Sequence, residues 1–277
     1  METNRRSKKN IWKIIYIILV LACLACIGGM ILYLQNDRKE ESVAEQQQEE
    51  IKEQYTVEDA ETVPDSEQEL AELPIDFAGL QEINPEIYAW IEVPDTNINY
   101  PILQHGGEDQ SYYLTRDMYG EHNQAGSIYT EDYNNKDFQD YHTVLYGHNM
   151  KNGSMFHNVR YFAEREFFDE HHEMFIYLPG KILKYEIITC YEYDDRHLLS
   201  LFDYDDKEGF AEYIEEIMNP RSMYTMVREG QEVTIDDKLV TLSTCVANKP
   251  NNRRLLQAVL VEEIEAEYRG AVNETED

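Results

Sequence analysis

The spacing of hydrophobic and polar residues divides the chain into three regions. An uncharged apolar run extends from Ile14 to Leu34, a polar and acidic stretch follows over residues 35–73, and short apolar segments separated by turn residues continue over residues 74–266. A helix rises about 1.5 Å per residue, so the first run is long enough to cross the ~30 Å hydrocarbon core of a bilayer. The pattern therefore predicts one transmembrane helix, a connecting segment and one globular domain.

The apolar run is preceded by basic residues, among them Arg5, Arg6, Lys8 and Lys9, and is followed by acidic ones. The positive-inside rule then places residues 1–13 in the cytoplasm and the globular domain outside the cell. A cleaved signal peptide is the competing interpretation, but its apolar core usually spans about 7–15 residues and ends at a small-residue cleavage site. The sequence YLQNDRKE at the end of the run has no Ala-x-Ala pattern. We expect an uncleaved, single-pass anchor in the cell membrane.

Residues 35–73 are dense in Glu, Gln and Asp and poor in apolar residues. Such a composition buries too little apolar surface to offset the entropy lost on ordering the chain. The segment is expected to be a solvated extracellular stalk, which can be partly helical without packing on anything. Residues 267–277 are expected to form an acidic tail after the domain.

The globular region, residues 74–266, is predicted to be mostly β-structure. Several segments are rich in β-branched and aromatic residues and alternate with a period of two, among them NINYPIL, HTVLYGH, ILKYEIITCYEYD and RRLLQAVLVEEI. A short helix is expected at DFAGLQEI, and two inserted helices are expected over residues 153–172 and 207–219, where apolar residues recur at helical spacing. We therefore expect a closed or half-closed, mainly antiparallel β-barrel with an N-terminal helix and a few inserted helices.

Composition and charge narrow the functional classes. The formal net charge of −31 argues against nucleic-acid binding, because contact with phosphates needs clustered Lys and Arg. The sequence has no metal-ligand spacing and no cofactor motif, so neither a metal nor a cofactor is expected. Two cysteines, Cys23 and Cys26, lie in the apolar run, which leaves Cys190 and Cys245 in the domain. This is not the composition of a disulfide framework, although one Cys190–Cys245 disulfide is an alternative.

Cys245 ends the strand-like segment TLSTC, and possible partners flank it in the sequence. A cysteine attacks a carbonyl as the thiolate, so its ordinary pKa of ~8.5 must be lowered by a nearby positive group. His148 follows a predicted strand in a Gly-His-Asn turn, where a loop exposes side chains on a rigid support. The strand RRLLQAVLVEE after Cys245 would form a hairpin with the Cys245 strand and bring an arginine beside the sulfur. Each residue alone also fits a structural role.

Together these segments resemble the sortases, the membrane-anchored cysteine transpeptidases of the Gram-positive cell surface. The resemblance rests on TLSTC, followed by the arginine strand and preceded by YGHNM and GSMF, and it extends to INPEIYAWIEVPDTNINYPILQ at the start of the domain. The predicted helix GFAEYIEEI before the thiol strand is similar to the insertion of class B sortases. The resemblance therefore implies a class B sortase domain over residues 74–266.

By this resemblance, Cys245 is the nucleophile and His148 is the acid and base. The family pattern Arg-apolar-apolar-apolar-x-Ala fits Arg253, which stands five residues before Ala258 and would stabilise the oxyanion. Arg254 then stands at a position that is apolar in the family pattern. Because adjacent strand residues point to opposite faces, only one of the two arginines can face the sulfur. Arg253 is the predicted one, with Arg254 as the alternative.

Substrate contacts are expected at Ser243, Thr244 and Tyr213. Ser243 lies two residues before the thiol and so on the same strand face, although an ordinary core or surface hydroxyl is nearly as good an interpretation. The loop GGEDQSYYL departs from class B relatives, which often have Asn at the position of Gln110. The substrate contacts of this loop are therefore left open.

The resemblance implies a function for the whole chain. It is expected to cleave a C-terminal sorting signal, Asn-Pro-x-Thr-Asn or a close variant, at the threonine carbonyl through a thioacyl-enzyme. The protein would then be transferred to an amine on a cell-wall precursor or on a pilin. The expected partners are the sorting signal of a secreted surface protein or pilin, that amine and, through the N-terminal helix, the membrane. The competing hypothesis is a catalytically inert extracellular β-barrel that binds a partner or assists pilus assembly.

Overall fold

The computed structural model of the chain describes residues 2–57, 70–202, 204 and 206–270. The chain separates into two compact units, Met1–Val43 and Ala44–Asp277. Helix α1, Glu2–Tyr55, contains the segment Tyr16–Gln35, whose mean hydropathy is 2.8. This segment is long and apolar enough to span a membrane, and it overlaps the predicted transmembrane run.

Within the described residues, ten strands form one sheet. In chain order they are β1 (Ala71–Glu72), β2 (Ile87–Glu92), β3 (Asn99–Leu103), β4 (Ile128–Tyr129), β5 (His142–Tyr146), β6 (Glu173–Leu178), β7 (Lys181–Asp194), β8 (Thr225–Val227), β9 (Leu239–Val246) and β10 (Lys249–Glu267). The helices after α1 are α2 (Phe77–Ile83), α3 (Arg165–Glu170) and α4 (Lys207–Met218). Short 3₁₀ helices occupy Tyr112–Thr115, Phe156–Ala163 and Leu198–Ser200.

The sheet closes into a barrel because β10 pairs with both β9 and β7. The ring of hydrogen-bonded strands runs β10, β9, β5, β4, β3, β2, β6, β7 and back to β10, which is eight strands. The pairs β5–β9 and β3–β4 are parallel, and the other pairs of the ring are antiparallel. The predicted, mainly antiparallel barrel is confirmed, and it is closed.

Side chains on β9 alternate between the barrel interior and its outer face. Val240 and Leu242 belong to the core cluster inside the barrel, whereas Leu239 packs in a second cluster outside it. The odd-numbered residues of β9 therefore share the outer face, and Cys245 is the last of them before the strand ends. The barrel holds the thiol at the strand end on its outer surface.

Helix α4 covers part of this outer face. It begins after Asp206, whose carboxylate accepts hydrogen bonds from two backbone N–H groups of the first turn, and it ends at Asn219. Phe210, Tyr213 and Ile217 are buried and pack in the outer cluster with residues of β5, β7, β9 and β10. The predicted helix over residues 207–219 and its core-facing stripe are confirmed.

The inserted helix predicted over residues 153–172 has a different form. The structure has a 3₁₀ helix at Phe156–Ala163, an extended residue at Glu164 and then the short helix α3. The buried residues Phe156, Val159 and Phe162 recur every three positions, which is the period of a 3₁₀ helix rather than of an α-helix. Apolar spacing correctly located the element but gave the wrong helix type.

The globular domain begins earlier in the sequence than predicted. Ile51, near the end of α1, is 3% exposed and packs in a core cluster with Leu73 and Ile75. The backbone N–H of Asp76 also donates to the carbonyl of Tyr55 at 2.9 Å. The end of α1 is therefore part of the domain rather than of a solvated stalk, because its few apolar side chains are buried. Residues 58–69 of the predicted stalk and 271–277 of the predicted tail lie outside the described residues.

Candidate active site

Cys245 is exposed and lies near the end of β9. In the antiparallel ladder between β9 and β10, Cys245 is directly opposite Arg253. Directly opposite residues of such a ladder have Cα atoms about 4.5–5.5 Å apart and project from the same face. The thiol and the side chain of Arg253 are therefore neighbours on the outer face of the barrel.

Arg254 projects from the other face of β10. It is opposite Thr244 on β9 and Glu192 on β7, and its guanidinium donates to the Glu192 carboxylate at 2.8 Å. The Arg254 side chain is 12% exposed, and its charge acts on the buried thiol of Cys190. Arg254 therefore belongs to an ion pair on the inner side of the strand, away from the face that carries Cys245.

His148 reaches the same end of the sheet from β5, which runs parallel to β9. The last pair of this ladder joins Tyr146 to Ser243, so His148 and Cys245 each lie two residues beyond it. The backbone N–H of Gly147 continues the contact by donating to the carbonyl of Ser243 at 3.2 Å. His148 and Cys245 are therefore both two residues past the same pair, at the same end of two neighbouring strands.

A side-chain hydrogen bond connects the histidine turn to the thiol residue. Asn149 donates from Nδ2 to the carbonyl oxygen of Cys245 at 2.8 Å, and the two residues are 96 positions apart in the sequence. The turn is closed on its other side by the backbone N–H of Phe156, which donates to the carbonyl of His148 at 2.9 Å. Asn149 was not among the predicted site residues, since the Gly-His-Asn turn in the sequence does not indicate what the amide contacts.

The hydrogen bond of the imidazole assigns roles to its two nitrogens. Nε2 of His148 lies 2.8 Å from the carbonyl oxygen of Leu114. A carbonyl oxygen only accepts hydrogen bonds, so Nε2 carries a hydrogen. Nδ1 is then the nitrogen at which the ring gains or loses its exchangeable proton. Leu114 is itself 37% exposed and ends the loop GGEDQSYYL.

The Arg253 side chain is hydrogen-bonded to the beginning of its own strand. Its Nη1 donates to the carbonyl oxygens of Pro250 at 3.0 Å and Asn252 at 3.2 Å. Within the described part of the chain, Asn149 is the side chain that hydrogen-bonds to Cys245, at its carbonyl oxygen, and no hydrogen bond reaches the sulfur. Hydrogen bonds of catalytic groups often form fully only when a substrate is bound.

The two thiols of the domain have opposite environments. Both are free, so the alternative disulfide does not form. Cys190 is fully buried inside the barrel, and burial raises the pKa of its thiol to about 12. A buried, protonated thiol is chemically inert. Cys190 therefore has the small apolar role that its place within a strand suggested, and Cys245 is the candidate nucleophile.

The residues predicted to contact substrate lie in different places. Ser243 is on the outer face two residues before the thiol and is 6% exposed. Thr244 points into the barrel, where its hydroxyl is buried. Tyr213 is 1% exposed, and its hydroxyl hydrogen-bonds to His142 and Gln257 beneath α4. Strand alternation and the apolar helix face place the side chains of Thr244 and Tyr213 in the core, and their contact with substrate stays a prediction.

The side-chain amide of Gln110 forms two hydrogen bonds with the backbone of this chain. Its Oε1 accepts a hydrogen bond from the backbone N–H of Asp132 at 2.7 Å, and its Nε2 donates to the carbonyl of Gly107 at 3.4 Å. The amide thereby ties the loop before Tyr112–Thr115 to the segment that follows β4. The glutamine that this chain has where class B relatives often have Asn is therefore hydrogen-bonded to its own loop and to Asp132.

Comparison with known proteins identifies the family of this chain. The family model described as the sortase domain matches residues 91–261. Sortase B of Listeria monocytogenes is 34% identical to this chain over 185 residues, which cover 66% of this chain and 72% of that relative. The chain belongs to the sortase family, in class B. It is therefore a sortase-type cysteine transpeptidase, as its sequence predicts.

Solved structures of class B sortases share the fold. Sortase B from Bacillus anthracis, in complex with AAEK1, superposes with a TM-score of 0.67 at 30% identity and covers 81% of this chain and 99% of that structure. Sortase B from Clostridium perfringens superposes with a TM-score of 0.61 at 31% identity and covers 68% of this chain and 100% of that structure. The predicted sortase-like barrel is confirmed.

Proposed function

We propose that this class B sortase is a single-pass membrane enzyme that cleaves a sorting signal after threonine and joins the cleaved protein to an amine. The observation that supports this most directly is the convergence of Cys245, Arg253 and the His148 turn at one end of the neighbouring strands β9, β10 and β5. Class B resemblance makes Asn-Pro-x-Thr-Asn, or a close variant, the candidate signal. The acceptor is an amine on a cell-wall precursor or on a pilin.

The first half of the reaction transfers the acyl group to the enzyme. The Cys245 thiolate attacks the threonine carbonyl carbon, a C–S bond forms, and the carbonyl electron pair moves to oxygen. The Arg253 guanidinium, with backbone N–H groups, offsets this developing negative charge. His148, protonated at both nitrogens, gives one proton to the leaving amine as the C–N bond breaks. A thioester between substrate and Cys245 remains.

The second half of the reaction restores the enzyme. The acceptor amine attacks the thioester carbon, and Nδ1 of His148 takes the proton that the amine loses. The C–S bond breaks, and its electron pair returns to sulfur as the thiolate. An amide bond has then been exchanged for another amide bond, with the imidazole and the thiolate back in their starting states.

The N-terminal residues support a location of the domain on the outer side of the membrane. The segment Tyr16–Gln35 is the candidate span, and basic residues precede it. The positive-inside rule supports a cytoplasmic N-terminus and an extracellular domain. Secreted proteins bearing a sorting signal and cell-wall precursors are both reached from that side of the membrane.

The test uses the full chain in detergent with a labelled sorting-signal peptide, with and without an added amine such as triglycine. We expect a covalent acyl adduct on Cys245 by mass spectrometry and, with the amine present, a ligated product. Cys245→Ala should lose both and keep the circular dichroism spectrum of the wild type. Cleavage retained in Cys245→Ala would contradict the proposal.

The inert-barrel hypothesis gives a different result in a thiol assay. An active site should show one rapidly alkylated cysteine, and the rate should fall when His148 is replaced by alanine, because the imidazolium favours the thiolate. Slow alkylation of Cys245, unaffected by His148→Ala, would favour a binding module instead.

A further inference from the structure

A hydrogen-bonded network outside the proposed catalytic residues ties the connection between β7 and α4 to the end of β4. At its centre, Nε2 of His197 lies 2.6 Å from Oε2 of Glu131. His197 belongs to the β7–α4 connection, and Glu131 follows β4 by two residues. We call the four residues Glu131, His197, Ser200 and Tyr146 the Glu131 network.

Three hydrogen bonds hold the centre of the Glu131 network together. A carboxylate only accepts, so the Nε2–H of His197 donates to Glu131, while Ser200 Oγ lies 3.0 Å from Nδ1 of the same ring. The hydroxyl of Tyr146 donates to the same carboxylate oxygen at 3.1 Å. The Glu131 side chain is 13% exposed. A nearly buried carboxylate that receives two donors is held firmly, because hydrogen bonds to charged groups are the strong ones.

Tyr146 keeps its hydrogen throughout the working pH range. Burial first, and then the charge of Glu131, raise the pKa of its hydroxyl. The Tyr146 ring also stacks on Tyr129 of β4, with ring centroids 5.4 Å apart. Tyr146 therefore acts as a fixed donor whose position is set by two strands of the barrel.

Tyr146 also brings the Glu131 network next to the proposed catalytic residues. It pairs with Ser243 in the β5–β9 ladder, two residues before Cys245, and it precedes His148 by two residues. These side chains share the outer face of the barrel. An extended substrate whose carbonyl reaches Cys245 has to lie along this face, with the β7–α4 connection beside it.

Within the described residues, one hydrogen bond joins the β7–α4 connection to the segment after β4, and that is the His197–Glu131 contact. Leu198 is buried in the outer cluster, whereas Leu201 is 36% exposed. Leu199, Phe202 and Tyr204 also pack against this cluster, so the apolar anchors of the connection all follow His197. Loss of the His197–Glu131 contact would free the start of the connection, next to the end of β4, while these anchors hold the rest.

We propose that the Glu131 network positions the β7–α4 connection as one wall of the substrate groove that ends at Cys245. This inference rests on the proposed function and adds to it the residues that hold the recognition surface in place. The network acts on binding of the sorting signal rather than on the chemistry at sulfur, because none of its hydrogen bonds reaches Cys245. His197 and Glu131 are therefore positioning residues.

The test compares His197→Ala and His197→Gln in the full chain by steady-state kinetics with a sorting-signal peptide. His197→Ala should raise KM about tenfold and change kcat less than about twofold, since it removes a hydrogen bond to a charged group that holds the wall. His197→Gln keeps an N–H donor toward Glu131 and should restore most of the loss. Glu131→Gln, which removes the charge at nearly constant size, should raise KM in the same direction.

Lys207→Ala is the matched control, because it breaks an exposed ion pair with Asp236 (3.3 Å, side chains 62% and 80% exposed) at the start of α4. Such pairs contribute little, so KM should stay at the wild-type value. Alkylation of Cys245 by iodoacetamide should be as fast in His197→Ala as in the wild type. Slow alkylation in the wild type would instead contradict the catalytic proposal.

Two results would overturn the inference. The first is an unchanged KM in both His197→Ala and Glu131→Gln. The second is a joint loss of kcat and folding stability that His197→Gln does not restore, which would assign the Glu131 network to general stability.

Discussion

Cys245 and Arg253 face each other across the β9–β10 ladder, whereas Arg254, the next residue, pairs with Glu192 across the β10–β7 ladder. A shift of one residue turns every strand side chain to the other face, so the strand register decides which guanidinium lies near the thiol. The two adjacent arginines therefore occupy separate environments, one on the outer face and one in the barrel wall.

This separation predicts different effects of removing each arginine. Arg253→Ala should lower kcat/KM by ~10²–10³ with little change in the free energy of unfolding, because it removes an oxyanion donor. Arg254→Ala should lower the free energy of unfolding by about 2 kcal/mol, since the buried carboxylate of Glu192 loses a charged partner and keeps Lys249 alone. Peptide cleavage assays and urea denaturation measure the two effects. A larger loss of activity in Arg254→Ala, at wild-type stability, would reverse the assignment.

Asn149 is predicted to act through the histidine turn. Asn149→Ala removes the hydrogen bond to the Cys245 carbonyl and should lower kcat/KM about fivefold to tenfold, with slower alkylation of the thiol. Asn152→Ala is the control, because Asn152 hydrogen-bonds to Ser154 in the same turn without contacting Cys245. Equal slowing in both variants would mean that general loosening of the turn, rather than the contact with Cys245, causes the effect.

His142 predicts a loss of stability at mildly acidic pH. It is buried beneath α4, and burial lowers its pKa to about 3, whereas an unfolded imidazole titrates near ~6.5. The unfolded chain then binds a proton that the native state does not, so the contribution of neutral His142 is complete above about pH 6.5 and is lost as the pH falls toward 3. The loss should be about 2 kcal/mol between pH 7.5 and pH 5.

The measurement is urea denaturation across this pH range for the wild type and His142→Gln, which cannot titrate there. The free energy of unfolding of the wild type should fall more steeply toward acid pH, by the amount given above. Parallel curves for the two proteins would show that His142 does not cause the acid sensitivity.

Tyr213→Phe separates a core role from a substrate role. The hydroxyl of Tyr213 hydrogen-bonds to His142 at 3.0 Å and to Gln257 at 3.1 Å in a buried setting, and phenylalanine leaves these groups with fewer partners. The free energy of unfolding should fall by roughly 1–3 kcal/mol. KM for the sorting-signal peptide, measured below the unfolding transition, should not change. A raised KM at an unchanged free energy of unfolding would instead support contact between Tyr213 and the substrate.

The sequence pattern predicted the fold best where its period was distinctive. The helical spacing of α4 identified both the element and its buried face. The pattern was less informative for Phe156–Ala163, because 3₁₀ and α-helices place apolar residues at similar short intervals. It also missed the packing of residues 44–55, since one buried side chain, Ile51, does not alter the acidic character of its segment.

The site was predictable only in part. The strand register predicted from TLSTC and the arginine strand agrees with the cross-strand pairing of Cys245 and Arg253. The contacts made by Asn149 and His197 join residues far apart in the sequence, and a single sequence carries no signal for such pairs. The resemblance named candidate residues, whereas the hydrogen bonds that hold their loops required the folded chain.

The order of strands has a consequence for biogenesis. Among the described residues, β10 is the last strand in chain order; it carries Arg253 and completes the ring by joining β9 to β7. On the proposed mechanism, the cationic surroundings of the sulfur are assembled only after this strand has joined the barrel. A nascent or truncated polypeptide would expose a cysteine that stays largely protonated at neutral pH. On this mechanism, the enzyme is expected to gain activity only once β10 has completed the barrel.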